Sequence, residues 1–297
     1  MEMSGKPWPS GRLEPAAKYD VARYVKDFET EKVAEADRRK TARILIASGG
    51  PDRALGVRLK GCNPISPCGS GICAACLRRS RRQVGGAIMK LLDEVGKPAK
   101  WVTLIDKRKR MNLGKLRTLD LYAEGRSLSR KISRSVIREA VVVAGYDFSV
   151  EYDERKSCDV WQMHVHGLVI GAEDAEIHSA LDGYVPRDES DKGFKPIVVK
   201  TVGPTLTDRA NVATYVLKAR IERRPFFLAD DEKIGFYKAI RLRRKLEEKE
   251  LLELARYLGH RDIGARLILR GVRGHGCTLA PIKPPTRSIT DNDDSFA

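Results

Sequence analysis

Two histidines separated by one residue are the first candidates for chemistry in this chain. His164 and His166 lie in WQMHVHGLVIG, a segment whose composition is typical of a β-strand. Successive side chains of a strand point to opposite faces, so both imidazoles project from the same face of a sheet. Two neutral imidazoles placed in this way can bind one divalent ion. The alternative is a pair of half-buried histidines on a polar sheet face, without a metal.

A carboxylate on the preceding segment could complete a metal site. Glu151 lies in FSVEYD, and the short polar link ERKSC joins that segment to the histidine strand as in a β-hairpin. If the apolar neighbours of Glu151 face the core, its carboxylate shares the face of the histidines. Two imidazoles and one carboxylate leave positions open for a phosphate oxygen, which suits Mg²⁺ or Mn²⁺ acting as a Lewis acid. The alternative is an ordinary exposed strand carboxylate.

A tyrosine followed three residues later by a lysine is the candidate nucleophile. Tyr215 and Lys218 lie in DRANVATYVLKARIERR, which we predict to be helical, so the two side chains share one helical face. A tyrosine hydroxyl can attack phosphorus to give a covalent ester, and a nearby ammonium favours the phenolate. The alternative is a tyrosine packed on a sheet beside a solvated lysine.

Four crowded cysteines predict a structural zinc site. They follow the spacing C-x5-C-x4-C-x2-C, in which the final C-x2-C is the element most typical of a thiolate zinc site. Prolines and glycines between them supply the turns that let the sulfurs converge. Four sulfur ligands close the coordination sphere, so this site would be structural rather than catalytic. Free thiols are the alternative for Cys62, Cys68, Cys73 and Cys76.

The overall charge favours a nucleic-acid partner. The 297 residues contain 56 Lys and Arg against 40 Asp and Glu, a net charge of +16, and such an excess favours binding to a polyanion. We expect no membrane contact and a cytoplasmic location, because no stretch approaches the ~20 apolar residues of a membrane span and the first residues lack a signal-peptide core.

Hydrophobic periodicity predicts the elements that position these residues. From residue 100 onward the order is β, α, β, β, α, β, α, the split βαβ pattern of a ferredoxin-like antiparallel sheet with flanking helices, so the fold class is α+β. The predicted strands are 100–106, 146–153, 160–170 and 194–202, and the predicted helices are 126–144, 173–181 and 207–220. Further helices are predicted at 21–46, before the Gly49–Gly50–Pro51 break, and at 233–258.

Four arginines crowd the beginning of another predicted helix, which continues through residues 84–95. Cations at a helix start oppose its dipole, so we assign them to phosphate contact. These candidate DNA-binding residues are Arg78, Arg79, Arg81 and Arg82. A charged stretch further on, with Arg241, Arg243, Arg244 and Lys245, is a second hypothesis for contact with duplex DNA, although such a helix is usually a solvated face.

The motifs VTLI, Glu151, HVHGLVI and YVLK occur in an order that resembles the HUH endonucleases, the Rep proteins of rolling-circle replicons. The resemblance covers about residues 101–220. It implies that a metal at Glu151, His164 and His166 polarises a phosphate of single-stranded origin DNA while Tyr215 attacks it. Tyr215 would keep the 5′ phosphate, and the free 3′ hydroxyl would prime synthesis by the host replication machinery. Some Rep proteins are similar in carrying a Cys-rich segment before the first catalytic strand.

With this resemblance the chain divides into four parts. We expect a helical arm with the zinc segment at 1–99, the endonuclease domain at 100–225, a helical extension at 226–280 and a disordered tail at 281–297. An HUH transposase or relaxase, a water-dependent metal hydrolase, and a non-catalytic zinc-containing DNA-binding protein remain alternatives. A second nucleophile is not evident, and Tyr237 and Glu222 are its candidates; the oligomeric state stays open.

Overall fold

The computed structural model describes residues 16–153, 156–185, 195–224, 226–231, 236–241, 244–275 and 278–282. Within them the chain is a mixed α+β structure with a mostly antiparallel sheet. None of the helices in these ranges is long and apolar enough to cross a membrane. Both ends of the sequence, including most of the predicted tail at 281–297, lie outside the described residues.

Three helices precede the sheet. Helix α1 (Glu31–Ser48) begins where the Thr30 hydroxyl accepts the Val33 amide, as expected of an N-cap. It ends at Gly49, whose φ of 71° favours glycine. Helices α2 (Gly50–Gly61) and α3 (Ala74–Val95) follow. The predicted helix at 21–46 therefore begins later than expected, because residues 21–23 form only a 3-10 turn.

The central strands alternate with three helices in chain order. They are β1 (Ala99–Ile105), β2 (Met111–Asn112), α4 (Leu121–Ser133), β3 (Val141–Asp153), β4 (Cys158–Ile170), α5 (Asp174–Leu181), β5 (Ile197–Thr201) and α6 (Leu206–Tyr215). Four strands lie in the order β5-β1-β4-β3, and each pairs antiparallel with its neighbours. Strand β2 pairs with Val160 and Trp161, near the N-terminal end of β4.

The C-terminal part adds strands rather than the long helix predicted at 233–258. It comprises β6 (Glu222–Arg224), β7 (Phe226–Asp231), β8 (Phe236–Arg241), β9 (Arg244–Lys245), α7 (Glu248–Leu258), β10 (Leu267–Arg270), β11 (Val272–His275) and β12 (Thr278–Pro281). The helix starts only where Glu247 and Glu250 form a capping box, which satisfies the first free amides. Strands β6 and β10 both extend β3 of the main sheet, β6 in parallel.

Two other predicted helices also need correction. The helix predicted at 126–144 ends at Ser133, and Val141–Ala144 belong to β3, where they pair with Ile170–Gly167. Three of these four residues are β-branched valines, which favour a strand, and pairing with β4 overrides the four-residue spacing. The helix predicted at 207–220 ends at Tyr215, so Lys218 lies beyond it.

The two faces of the sheet carry separate cores. Alternate residues of β3 and β4, such as Val143 and Leu168, pack beneath α3 and α6. The intervening residues, such as Phe148 and Trp161, pack against α4, α5 and α7. Because the zinc-segment helices share the first core with β3, β4 and α6, residues before 99 pack directly on the sheet that carries the histidines.

Candidate active site and zinc centre

The two histidines lie side by side on the sheet face that α6 covers. In the antiparallel register His164 is opposite Asp147, and His166 is opposite Gly145. Their side chains are almost completely buried, and the two imidazole centroids are 5.8 Å apart. Both imidazoles therefore lie on one face of the sheet, as the alternation of side chains along a strand predicted.

Glu151 is in contact with the first histidine. Its Oε1 lies 3.3 Å from Nε2 of His164, and the Ser149 hydroxyl donates to the same carboxylate over 2.8 Å. Arg110 and Arg224 approach it at 3.7 and 3.6 Å. Burial alone would raise the pKa of Glu151, but the hydrogen bonds and these charges lower it to about 2. The carboxylate is therefore ionised near neutral pH.

The second histidine has an unused ring nitrogen. Nδ1 of His166 lies 3.1 Å from the Thr103 hydroxyl, while its buried Nε2 has no hydrogen-bond partner among the described residues. Nε2 lies 3.8 Å from Oδ2 of Asp147. Burial lowers the pKa of His166 to about 3, so the imidazole is neutral near neutral pH. A neutral imidazole with a free nitrogen is chemically able to bind a metal.

Asp147 is a site residue that the sequence did not reveal. It is 1% exposed, its Oδ1 has no hydrogen-bond partner in the described part of the chain, and its Oδ2 lies 3.2 Å from Nζ of Lys218. Burial opposes ionisation, but the charge of Lys218 lowers the pKa of Asp147 below its usual value. Asp147 and Glu151 are four residues apart in YDFSVEYD, so their side chains share one face of the strand. Only the hairpin register, which places Asp147 opposite His164, shows that this face carries the histidines.

Tyr215 ends α6 directly above His166. Its ring meets that imidazole edge-on with centroids 5.0 Å apart. Trp101 stacks on the imidazole at 5.8 Å and also meets the tyrosine ring edge-on at 5.6 Å, so the three rings contact one another. Nζ of Lys218 lies 6.0 Å from the centre of the tyrosine ring. The chain after α6 comes so close to β3 that a Cβ on Gly145 would lie 1.9 Å from the carbonyl oxygen of Val216.

The structure thus brings all five predicted residues of the candidate active site into one group: Glu151, His164, His166, Tyr215 and Lys218. Lys218 reaches the group from the turn after α6, contrary to the prediction of a shared helical face. Glu222 also joins it, with Oε2 3.5 Å from Nζ of Lys218. The side chain of Tyr237 lies outside the described residues.

The four cysteines converge as metal ligands. Sγ of Cys62 lies 3.5 Å from that of Cys76 and 3.7 Å from that of Cys73, and the Cys68 and Cys76 sulfurs are 3.8 Å apart. A tetrahedral zinc site with Zn–S bonds of about 2.3 Å requires S···S separations of about 3.8 Å. The cluster can therefore hold a zinc ion. Hydrogen bonds from the neighbouring thiols hold the pKa of Cys62 far below its usual range.

The histidine group is less convergent than the cysteine cluster. In the described ranges, the cysteines form the only group of three or more His, Cys, Asp or Glu ligand atoms that all lie within 4.8 Å of one another. The imidazoles and carboxylates are neighbours in pairs, with Lys218 beside Asp147. Among the described residues, the geometry by itself therefore supports metal binding at the cysteines and not at the histidines.

Two of the four arginines after the cysteines are engaged inside the protein. Arg81 is 8% exposed, forms an ion pair with Glu29 and donates to the carbonyl of Thr214. Arg82 makes two hydrogen bonds, of 2.8 and 2.6 Å, to the carboxylate of Asp20. Both guanidiniums hold helix α3 to neighbouring segments, so assigning them to DNA contact finds no support in this geometry.

The other two arginines also have partners within the chain. Arg78 donates to the carbonyl of Glu29 and lies over the ring of Phe28, and Arg79 donates to the carbonyl of Asn63 at 3.3 Å. Because α3 starts at Ala74, the arginines occupy its second and third turns. The argument from a repulsive helix dipole therefore does not apply to them.

Comparison with family models, with curated proteins and with solved structures gives no match to this chain.

Proposed function

We propose that this protein is an HUH-type nickase that cuts single-stranded DNA by transesterification and initiates rolling-circle replication. The observation that carries the proposal is the position of Tyr215, whose ring lies 5.0 Å from that of His166 in a group of buried imidazoles and carboxylates. A tyrosine beside the neutral imidazole of His166 and the buried ammonium of Lys218 is suited to phosphoryl transfer. The positive net charge supports a polyanionic substrate.

In the proposed step a bond forms between the Tyr215 hydroxyl oxygen and phosphorus, and the bond from phosphorus to the 3′ oxygen breaks. The phenolic proton passes to solvent and the departing 3′ oxygen takes a proton from solvent, so the product is a 5′ phosphotyrosine and a 3′ hydroxyl. Lys218 favours the phenolate electrostatically, while Asp147 holds its ammonium in place. The covalent link retains the phosphodiester energy and permits rejoining.

The donor set fits a divalent ion by its chemistry. His166 and Asp147 each have a buried atom without a hydrogen-bond partner in the described chain, and His164 and Glu151 lie beside them. These four residues would hold Mg²⁺ or Mn²⁺, which would supply Lewis-acid polarisation of the scissile phosphate. The cysteine cluster would hold a structural zinc ion and would not take part in cutting.

The sheet supports the same proposal. The strand order β5-β1-β4-β3, with α4 and α5 sharing one core, is what a ferredoxin-like split βαβ fold would produce. The strands β2, β6, β9 and β10 are additions to that pattern. We propose that the protein acts at a replication origin together with the host replication machinery in the cytoplasm.

A non-catalytic, zinc-containing DNA-binding protein is the second candidate. Two observations favour it. Among the described residues only the cysteines converge as metal ligands, and Lys218 forms a salt bridge with Asp147 where a metal ion would otherwise bind. In that case Glu151 and the histidines would be a buried polar network, stabilised by mutual hydrogen bonds.

The test is incubation with labelled single-stranded DNA of randomised sequence and Mn²⁺, followed by denaturing electrophoresis. We expect a covalent protein–DNA band that is lost in Tyr215→Phe and His164→Ala. Tyr122→Phe, which changes an exposed tyrosine on α4, is the matched control and should retain the band. Cutting that persists in Tyr215→Phe would indicate that water is the nucleophile, and DNA binding without any cutting would favour the non-catalytic candidate.

A further inference from the structure

Helix α4 and the turn after it carry an uninterrupted run of positive charge. Five cations and no acidic residue occur between positions 126 and 138: Arg126, Arg130, Lys131, Arg134 and Arg138. Arg126, Arg130 and Arg134 recur every four residues, so they form one stripe with steps of about 6 Å along the helix. Like charges at this spacing destabilise a helix slightly, so the stripe does not stabilise α4 by itself.

These arginines lack the internal partners that occupy the arginines of α3. The side chains of Arg126, Arg130 and Arg134 are exposed, and no carboxylate of the described residues forms an ion pair with them. In contrast, Arg81 and Arg82 are paired with Glu29 and Asp20. Helix α4 therefore presents a continuous row of exposed cations to a partner.

A groove runs beside the stripe. It has a volume of about 640 Å³ and lies between α4, the turn after it and α5. Hydroxyl groups of Ser127, Ser135 and Ser179 line it together with Arg130, Lys131 and Arg134. Guanidiniums and hydroxyls are the groups that donate most often to phosphate oxygens in protein–DNA interfaces.

The helix dipole explains only part of this arrangement. Arg130 and Lys131 lie in the last turn of α4, where cations are stabilised. Arg126 lies a turn earlier and Arg138 lies beyond the helix, so neither gains from the dipole. A polyanion along the stripe would relieve the repulsion among Arg126, Arg130 and Arg134, whereas Arg138 already forms an ion pair with Glu139.

We propose that this α4 surface binds the sugar-phosphate backbone of double-stranded DNA. Single-stranded DNA is usually held by several exposed aromatic rings on which successive bases stack, whereas α4 offers one such ring, Tyr122, a turn before Arg126. The nearby Tyr184 ring is covered by Nζ of Lys131 at 4.6 Å. A surface on which cations and hydroxyls predominate contacts the charged backbone and not the bases, as duplex backbone contacts do.

This surface is separate from the candidate active site. Leu128 and Ile132 of α4 belong to the core on one side of the sheet, whereas Tyr215 and the histidines lie on the other side. The proposal rests on the proposed function only in taking DNA as the substrate. It places the duplex on the side of the sheet opposite Tyr215.

The experiment compares two triple variants of the full chain. Arg126→Gln/Arg130→Gln/Arg134→Gln removes the stripe, and Arg43→Gln/Arg53→Gln/Arg117→Gln removes three exposed arginines that also have no ion pair within the described residues. Circular dichroism melting confirms that both variants fold. Fluorescence anisotropy then measures the binding of a random-sequence duplex and of a single strand of equal length across a salt series.

We expect the stripe variant to bind the duplex about tenfold more weakly at physiological salt, with a salt dependence lower by about two to three ions, and the control variant to bind much as wild type. Equal affinities of the two variants, or equal losses for duplex and single strand, would overturn the proposal. Adduct formation on single-stranded DNA reports the active site independently. If wild type forms no adduct, the proposed nickase activity is wrong, while the measured duplex binding still tests the α4 surface.

Discussion

At the scale of single residues, the unusual feature is a buried ion pair at the centre of the candidate active site. Nζ of Lys218 and Oδ2 of Asp147 are 3.2 Å apart, and neither side chain is more than 10% exposed. Removing one member of such a pair leaves an uncompensated charge away from water. The pair therefore couples the stability of the fold to the position of the ammonium beside Tyr215.

Lys218→Met should be strongly destabilising, by about 3–5 kcal/mol, because Asp147 is left buried and unpaired. Asp147→Asn combined with Lys218→Met should recover a large part of that loss. Urea unfolding of the two single variants and the double variant measures the coupling. Simple addition of the two single effects would show that the residues do not interact.

Cys76→Ser should lower bound zinc from about one ion per chain and reduce the melting temperature. Cys76 is 4% exposed and its sulfur contacts two others, so the remaining three ligands cannot close a tetrahedral site. Zinc released by denaturation can be measured with a colorimetric chelator. Cys158→Ser, which alters a cysteine outside the cluster, is the control and should retain the metal.

At the scale of elements, the contact between α6 and β3 determines where Tyr215 lies. Gly145 faces the backbone of Val216, one residue after Tyr215. An added methyl group would have to displace either the strand or the end of the helix, since the atom it meets belongs to the backbone. The position of the tyrosine is therefore set by a residue that carries no side chain.

Gly145→Ala should cost about 1–3 kcal/mol or more by overpacking, and should also weaken adduct formation because Tyr215 moves away from His166. Gly61→Ala is the control, since nothing lies within 4 Å of a Cβ there, and it should leave both quantities unchanged. Chemical denaturation and the covalent-adduct assay give the two values. Wild-type behaviour of Gly145→Ala would mean that the helix end adapts freely.

At the scale of the whole molecule, helices from both ends of the chain are joined by ion pairs. Arg256 of α7 makes hydrogen bonds of 2.6 to 3.0 Å to the carboxylate of Asp52 on α2. These bonds, together with one from Ser48, lower the pKa of Asp52 in the folded protein. The ionised carboxylate thus favours the folded over the unfolded chain.

The stability that Asp52 contributes should be present above its unfolded pKa of about 3.9 and be lost as the pH falls through the lower folded value. Wild type should therefore be more stable than Asp52→Asn near neutral pH, and the difference should shrink in acid. Urea unfolding over a pH series measures it. A difference that does not change with pH would show that Asp52 acts through packing alone.

The sequence predicted the central elements well because they depend on local patterns. Alternation placed His164 and His166 on one face, and the order of strands and helices agreed from β1 to α6. The sequence-based prediction failed where contacts between residues far apart in the chain determine the structure. The strand at Val141–Ala144 depends on β4, and Asp147 gains its role only through the hairpin register. The partners of Arg81 and Arg82 lie 52 and 62 residues away, beyond any periodicity.

The anchoring of the zinc segment has a consequence for how the protein is made. Ser70 donates to the carbonyl of Gly259, 189 residues further along the chain, and the Gly71 amide donates to Arg261. A ribosome that adds about 5–20 residues per second needs roughly 10–40 s to cover that distance. During this interval the nascent cysteines lack the segment that later covers them. Zinc capture during translation would protect the thiols from oxidation before the rest of the chain is complete.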